Sequence, residues 1–417
     1  MPENFHIDMP EAVRNIIHTI EEHGFKAYAV GGCIRDSILG RNPDDWDITT
    51  SAVPSQIKTF FKRTVDTGIA HGTVTIMIDK TGYEVTTYRI DGEYEDGRHP
   101  KSVEFSDRLV DDLCRRDFTI NAMAYNDTDG FVDEFKGLDD LDTKIIRCVG
   151  EPELRFTEDA LRMMRAIRFS AQLGFTIDEA TWNAIKKLSP SISKISMERV
   201  HVELGKTLMS AHPDYVAEYS EAGLFAPILP VIDNALKSRY KRKILATLQH
   251  TPDNIYLRYA ALFITSTPDE AAKTLRALKL DNKTVDTVSK LVELSKMDIE
   301  ETEPAVRTAL NKYGRDFLPL WHELMIAVIQ ASEDITGISN PAKVKHLLTL
   351  KRLGTDILAR GDCFTIKDLD ISGNDLIEYG LQGHEIGETL KSLLDIVIEN
   401  PKLNDKATLI AMIEHIK

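Results

Sequence analysis

The sequence predicts an α+β fold in which strands are confined to the first 150 residues and helices supply the remainder. Two observations carry this. β-Branched and aromatic runs at Thr73 to Ile78 and Tyr83 to Tyr88 enclose Asp79-Lys80-Thr81-Gly82, the pattern of a hairpin. From Phe156 onward the alternation of strands nearly disappears and apolar residues recur at the 3.6-residue helical period.

Taken in order, Tyr28-Ala29-Val30 is an apolar run that ends in Gly31-Gly32, where backbone N–H groups can approach a phosphate closely, with Arg35 a few residues on to hold its charge. Asp45-Trp46-Asp47 follows. Side chains alternate across a strand, so two carboxylates one residue apart share a face and can grip the same cation, a site for Mg²⁺. An Asp-x-Asp alone reads as a solvated turn; the neighbouring glycines favour a metal and a triphosphate together. Ser102 to Phe105 and Ile145 to Val149 are further strand candidates. Asp91 to Pro100, polar and holding two glycines, reads as a mobile loop able to act as a lid. In the helical part, prolines at Ser189-Pro190, His212-Pro213, Thr251-Pro252, Thr267-Pro268, Glu303-Pro304 and Asn340-Pro341 are expected to end helices at the preceding residue.

At 417 residues the chain exceeds one core, and about 150 residues per domain gives roughly three units. Hydrophobic content of 42% and charged content of 28% describe a folded protein. Cys33, Cys114, Cys148 and Cys363 are widely separated, which argues against zinc sites or a disulfide framework and fits a reducing cytoplasm. No basic-then-apolar leader and no window near the roughly 20 apolar residues of a membrane span is seen, so a cytoplasmic location with no membrane and no evident protein partner is expected. The net charge of -15 runs against nucleic-acid binding, yet basic clusters occur at Arg115-Arg116, from Arg147 to Arg168, from Lys237 to Lys243, and at Lys343-Val344-Lys345-His346 with Lys351-Arg352. Each of these also reads as a solvated helix face.

Glu158 to Phe169 reads as one helix, with Glu158, Arg162 and Arg165 close together, Asp159 and Arg168 beside them, and Leu161, Met164, Ile167 and Ala171 opposite. That charged face reads either as a stripe of ion pairs, each worth ~0.2–0.5 kcal/mol, or as a base reader. Cytosine and adenine both present an amino donor beside a ring-nitrogen acceptor. Asp159 as acceptor beside the guanidinium of Arg162 satisfies both, whereas uracil and guanine leave polar contacts unpaired at ~1–3 kcal/mol each.

Four separated blocks now stand in order: Gly31-Gly32-x-x-Arg35-Asp36-x-x-Leu39-Gly40 with Asp45-x-Asp47; Arg115-Arg116-Asp117-Phe118-Thr119-x-Asn121-Ala122; Asp133 through Asp140-Leu141; and Glu158-Asp159-x-x-Arg162-x-x-Arg165-Ala166-x-Arg168-Phe169. Over about Tyr28 to Ser196 they resemble the bacterial-type (class II) CCA-adding enzymes, or tRNA nucleotidyltransferases, of the polymerase-β-like superfamily. Ile371 to Leu376, with Gly387, is similar to the tail of that family. The resemblance implies a catalytic nucleotidyltransferase head with a small mixed sheet over residues 1–150. It also implies an all-α neck over 151–210, body over 211–310 and tail over 311–417 that hold the acceptor arm and 3′ end of tRNA. By resemblance, Asp45 and Asp47 bind Mg²⁺ and are catalytic. Gly32 and Arg35 hold the triphosphate, Arg116 and Asp117 position sugar and phosphate, Asp159 and Arg162 select the base, and Glu158, Arg165 and Arg168 complete the nucleotide pocket. Gly97-Arg98-His99-Pro100 departs from the commoner pair of arginines before proline.

The expected reaction is template-independent addition of CCA from CTP and ATP. One metal would activate the RNA 3′-hydroxyl and another brace the phosphates as pyrophosphate leaves in line. Glu84 is a candidate third carboxylate, or a solvated one. The competing readings are a narrower polymerase (CC-adding, A-adding or poly(A)) and a catalytically silent RNA-binding module. The weakly basic tail tells against poly(A) addition. The loop after Asp91, an element that CC-only enzymes lack by resemblance, tells against those, and the presence of both Asp45 and Asp47 tells against silence.

Overall fold

The computed structural model describes residues 6–92 and 103–416. It divides into two units, Met1–Pro230 and Val231–Lys417.

In the first unit, α1 (Glu11–Glu22) buries Val13, Ile16, Ile17 and Ile20, one helical face, and leads into β1 (Ala27–Val30), buried along its whole length. The strands that follow are β2 (Ile48–Thr50), β3 (Thr64–Gly68), β4 (Thr73–Ile78), β5 (Thr81–Thr87), β6 (Arg89–Asp91), β7 (Val103–Phe105), β8 (Ala124–Asn126) and β9 (Gly130–Val132). Seven of them form one sheet in the order β3-β4-β5-β2-β1-β8-β9, while β6 and β7 pair separately. Only β2 and β5 run parallel within that sheet, with Ile48 beside Val85, so the sheet is mixed. The hairpin of β4 and β5 turns at Asp79-Lys80, where Asp79 takes a positive φ of 53°, and begins its return strand at Thr81 rather than Tyr83. Asp79 is one of the residue types that tolerates that conformation.

Two expectations need correction, and a third falls mostly outside the described residues. Asp45 and Asp47 do not lie within a strand: β2 starts at Ile48, and only the Asp47 carbonyl is tied in, accepting from the N–H of Val30 at 3.0 Å. The segment from Ile145 to Val149 contributes only the short β10 (Ile145–Ile146), which pairs in parallel with β11 (Thr176–Ile177). Asp91 closes β6, and residues 93–102, which hold most of the expected loop, lie outside the described residues.

After the sheet the chain is nearly all helix. Helices α2 (Gly32–Ile38), α3 (Pro54–Phe60) and α4 (Leu109–Cys114) fall between the strands of the first unit, and α5 (Gly137–Asp142), α6 (Pro152–Glu158), α7 (Leu161–Leu173), α8 (Glu179–Leu188), α9 (Met197–Leu208) and α10 (Val216–Glu221) follow β9. The helix expected from Glu158 to Phe169 is therefore two helices, broken at Asp159, whose φ of -144° and ψ of 104° are extended. The second unit is helical throughout its described residues. There, prolines open helices more often than they end them. Pro268, Pro304 and Pro341 each sit in the first turn behind a Thr267, Thr302 or Asn340 cap, where the missing N–H costs nothing. A separate core gathers Leu376, Leu393, Leu394, Val397 and Leu409 near the end of the chain. No helix among the described residues is long and apolar enough to cross a membrane.

Candidate active site

Gly31 links β1 to α2 with φ 86° and ψ -129°, a conformation that L side chains rarely adopt, and a Cβ there would come within 2.8 Å of the Arg116 guanidinium. Backbone and arginine can approach this closely only because residue 31 has no side chain. One turn into α2, the buried Arg35 donates from Nη1 to the Asn121 side-chain oxygen Oδ1 at 2.6 Å. Its Nε and Nη2 donate to the two oxygens of Asp36 at 2.9 and 2.8 Å, and its guanidinium carbon lies 5.0 Å from the Phe169 ring centre.

Asp47 precedes Ile48, and Ile48 pairs in parallel with Val85, so Asp47 stands beside Glu84 on the adjacent strand. The carboxyl of Asp47 is pushed up from its ordinary value by burial and by Asp45, against the pull of Arg116. Burial, then Asp47 and Asp45, push Glu84 up as well. Asp45, Asp47 and Glu84 stay open to solvent, and acids crowded together so that they repel one another fit a site for a cation. No group of three or more His, Cys, Asp or Glu side chains among the described residues is arranged to hold a metal unaided.

The wall above is made of arginines fixed by buried acids. Asp112, fully buried, accepts from Arg115 at 2.6 Å and from Arg116 at 3.2 Å; burial raises its carboxyl, but the two guanidiniums outweigh burial and hold it below the usual range. Asp117 accepts from its neighbour Phe118 N–H at 2.8 Å, from Asn121 at 3.0 Å and from Arg165 Nε at 2.7 Å. Arg168 meets Glu203 of α9 at 2.6 Å and lies 3.8 Å from the Phe169 ring centre. It was expected beside a charged face; its side chain is instead buried within the contact between α7 and α9.

Asp159 and Arg162, expected to read the base together or to pair with each other, take separate partners. Arg162 donates to Glu158 at 2.6 Å, to the Arg155 carbonyl at 3.2 Å and to the Arg115 carbonyl at 2.9 Å, while Asp159 is gripped by Arg199. Breaking the helix at Asp159 turns its side chain out of the Glu158–Arg162 row, so the two acids take different partners. Of the expected site residues, Arg116, Asp117, Arg162 and Arg165 come together along this wall; Asp45 and Asp47 lie below it, and Gly32 and Arg35 at its edge. Gly32, Arg35, Asp45, Asp47 and Arg168 line one open cleft of about 570 Å³. Asp112, Glu203 and Arg199 were not anticipated. Arg199 lies 40 positions from Asp159 on another helix, and no spacing rule spans that separation.

A small mixed sheet with paired carboxylates just ahead of one of its strands, a glycine turn beside them and a wall of arginines held by buried acids is the arrangement of a nucleotidyltransferase. The pattern described as "Poly A polymerase head domain" matches residues 27–147, and one for the second domain of tRNA nucleotidyltransferases matches 256–413. The chain belongs to the CCA-adding enzyme family: it is 34% identical to the CCA-adding enzyme of Pediococcus pentosaceus over 98% of both chains, and 37% identical to that of Limosilactobacillus fermentum over 96% of this chain and 95% of the relative. The Bacillus stearothermophilus CCA-adding enzyme, solved in complex with CTP, superposes with a TM-score of 0.75 at 32% identity, covering 97% of this chain and 96% of that one. Nucleotidyltransferases of this superfamily use a divalent metal.

Proposed function

We propose that this chain adds CCA to the 3′ end of tRNA from CTP and ATP without a nucleic-acid template, as the names of its relatives indicate for those proteins. One observation carries the reading. Arg162 donates to the carbonyl of Arg115, and the charge of the next residue, Arg116, reaches Asp47, so the candidate base reader and the candidate metal carboxylates are joined through adjacent residues.

Asp45 and Asp47 would hold Mg²⁺, which when bound supplies Lewis-acid activation of the RNA 3′-hydroxyl and charge neutralisation at the phosphates. Arg35, pre-set by Asn121 and Asp36, would receive the triphosphate beside Gly32 with little reorganisation. Arg116 and Asp117 would place the sugar and phosphate, and Arg165 and Arg168 would complete the nucleotide pocket. Asp159 and Arg162 would accept C and A and refuse U and G, with Glu158 holding the Arg162 guanidinium in place. Residues 1–150 form the catalytic head of this scheme, 151–210 the neck, 211–310 the body and 311–417 the tail, working in the cytoplasm.

The test is a tRNA transcript lacking its 3′ end, incubated with each nucleoside triphosphate singly and with all together, followed by sequencing of product ends. Cytidines alone from CTP, CCA from CTP with ATP, and no extension from UTP or GTP are expected; a long adenosine tract from ATP alone would overturn the reading.

Despite the net charge of -15, the helical part should carry a local basic track. Its candidates are already partly compensated: Lys237 pairs with Asp233 at 2.9 Å and Arg352 with Asp356 at 3.2 Å. Neutralising a side chain that contacts phosphate should flatten the salt dependence of tRNA binding by roughly one unit of slope per residue. An unchanged slope after removal of both Lys237 to Lys243 and Lys343 to Arg352 would place the track elsewhere.

A further inference from the structure

We propose that Arg199 is a positioning residue for base selection, gripping the Asp159 carboxylate so that only one fixed acceptor direction is left to meet the incoming base. The proposal rests on the reading of Asp159 as the base-selecting acid. Because Asp159 sits in the extended break between α6 and α7, no helical turn constrains its side chain. What constrains it is hydrogen bonding. Oδ1 accepts from the N–H of Leu161 at 3.0 Å and from Arg199 Nη1 at 3.2 Å, and Oδ2 accepts from Arg199 Nη2 at 2.7 Å.

An ionised carboxylate offers about four acceptor directions, two on each oxygen. Three are used, both on Oδ1 and one on Oδ2, which leaves a single direction on Oδ2. One acceptor of fixed orientation is what recognition of a single exocyclic amino group requires. A carboxylate free to turn could instead accept the ring N–H of uracil or guanine, and discrimination would fall.

The planar fork of a guanidinium suits this task, because its two parallel bonds fix the rotation of the carboxylate as well as its position. α9 is itself anchored. One turn beyond Arg199, Glu203 meets Arg168 of α7 at 2.6 Å, so the same face of α9 ties both ends of the arginine wall.

The experiment uses the full-length chain with Arg199→Lys and Arg199→Met, measuring kcat and KM for all four nucleoside triphosphates on one tRNA primer, with a thermal melt of each variant. Arg199→Met should lower the ratio of correct to incorrect kcat/KM by about tenfold, the scale of one lost hydrogen-bond constraint, mainly through KM. Arg199→Lys, which keeps the charge and loses the fork, should lose part of that ratio, and it carries the test if the Met variant fails to fold. Adding Arg199→Met to Asp159→Ala should cost no further discrimination, since the two act through one contact. A lowered melting temperature with unchanged nucleotide ratios in both Arg199 variants would make the pair a structural tie and overturn the proposal. If Asp159→Ala lowers the ratio while the Arg199 variants do not, only the clamp is lost; if Asp159→Ala also leaves it unchanged, the base-reading role of Asp159 falls with it.

Discussion

Asp45→Ala and Asp47→Ala are each expected to slow nucleotide transfer by roughly 10²- to 10⁴-fold, the several kcal/mol that a catalytic metal supplies to a developing alkoxide and leaving group. tRNA affinity should hardly move, because two carboxylates contribute little to binding a polyanion. Stability should move in the unexpected direction. Burial and Asp45 raise the Asp47 carboxyl above its ordinary value, so the folded state binds that proton more tightly than the unfolded chain does. Ionisation therefore opposes folding, and the penalty grows as pH rises from the unfolded value through the folded one. In metal-free buffer at pH 7, Asp47→Asn should melt at or above the parent, while in single-turnover assays it transfers almost nothing. A variant retaining transfer within tenfold of the parent would remove these residues from the metal site, and one that melts well below it would make them structural.

Sequence reasoning read the strand from Thr73 to Ile78 at its observed limits because β-branched residues dominate it up to the Asp79 turn, and Val74, Thr75 and Ile76 are all buried there. It missed the break at Asp159 for a definable reason. Phe156 is buried before the break, and Leu161, Met164 and Ile167 after it, so helical periodicity continues across both helices. The break is stabilised locally by the Asp159 carboxylate capping the N–H of Leu161, a role short polar side chains often take at helix starts. The prolines misled in the same way: Thr267, Thr302 and Asn340 signal caps as strongly as the following proline signals a stop. What no local rule reaches is partnership between elements. Arg35 with Asn121 and Asp159 with Arg199 are 86 and 40 positions apart, and only the fold brings them together.

The arginines of the nucleotide wall are compensated locally, independent of the net charge of the chain. Along the nucleotide wall, Arg115 and Arg116 face Asp112, Arg162 faces Glu158, Arg165 faces Asp117, and Arg168 faces Glu203. Each guanidinium that would meet an anionic substrate is held by an acid behind it, so a positive wall needs about as many carboxylates as arginines. The acids fix orientation before the substrate arrives, which is the part of electrostatic catalysis that costs no reorganisation during the reaction.

Asp117 is an acid in that wall whose loss should cost heavily in stability. It is 7% exposed, and its two oxygens accept from Phe118 N–H, Asn121 and Arg165. Burial pushes its carboxyl up, but the Arg165 charge, the Asn121 hydrogen bond and the Arg162 charge together hold it well below the ordinary range. Asp117→Ala should destabilise the chain by about 3 kcal/mol, the low end of the 3–5 kcal/mol for breaking a buried pair, because the Arg165 side chain keeps some exposure and can rehydrate. For a unit of this size that is a fall of roughly 6–12 °C in melting temperature. The pH dependence has a fixed sign. A carboxylate with a depressed folded pKa contributes stability that is present above its unfolded value of 3.8 and is lost as pH falls below it toward the folded value. The gap between parent and Asp117→Ala should therefore be full at pH 5 to 7 and narrow below about pH 4. Melts of both proteins across that range, at fixed ionic strength, decide the matter: a gap under about 1 kcal/mol at pH 7, where surface ion pairs fall, would mean that Arg165 finds water as good a partner as Asp117.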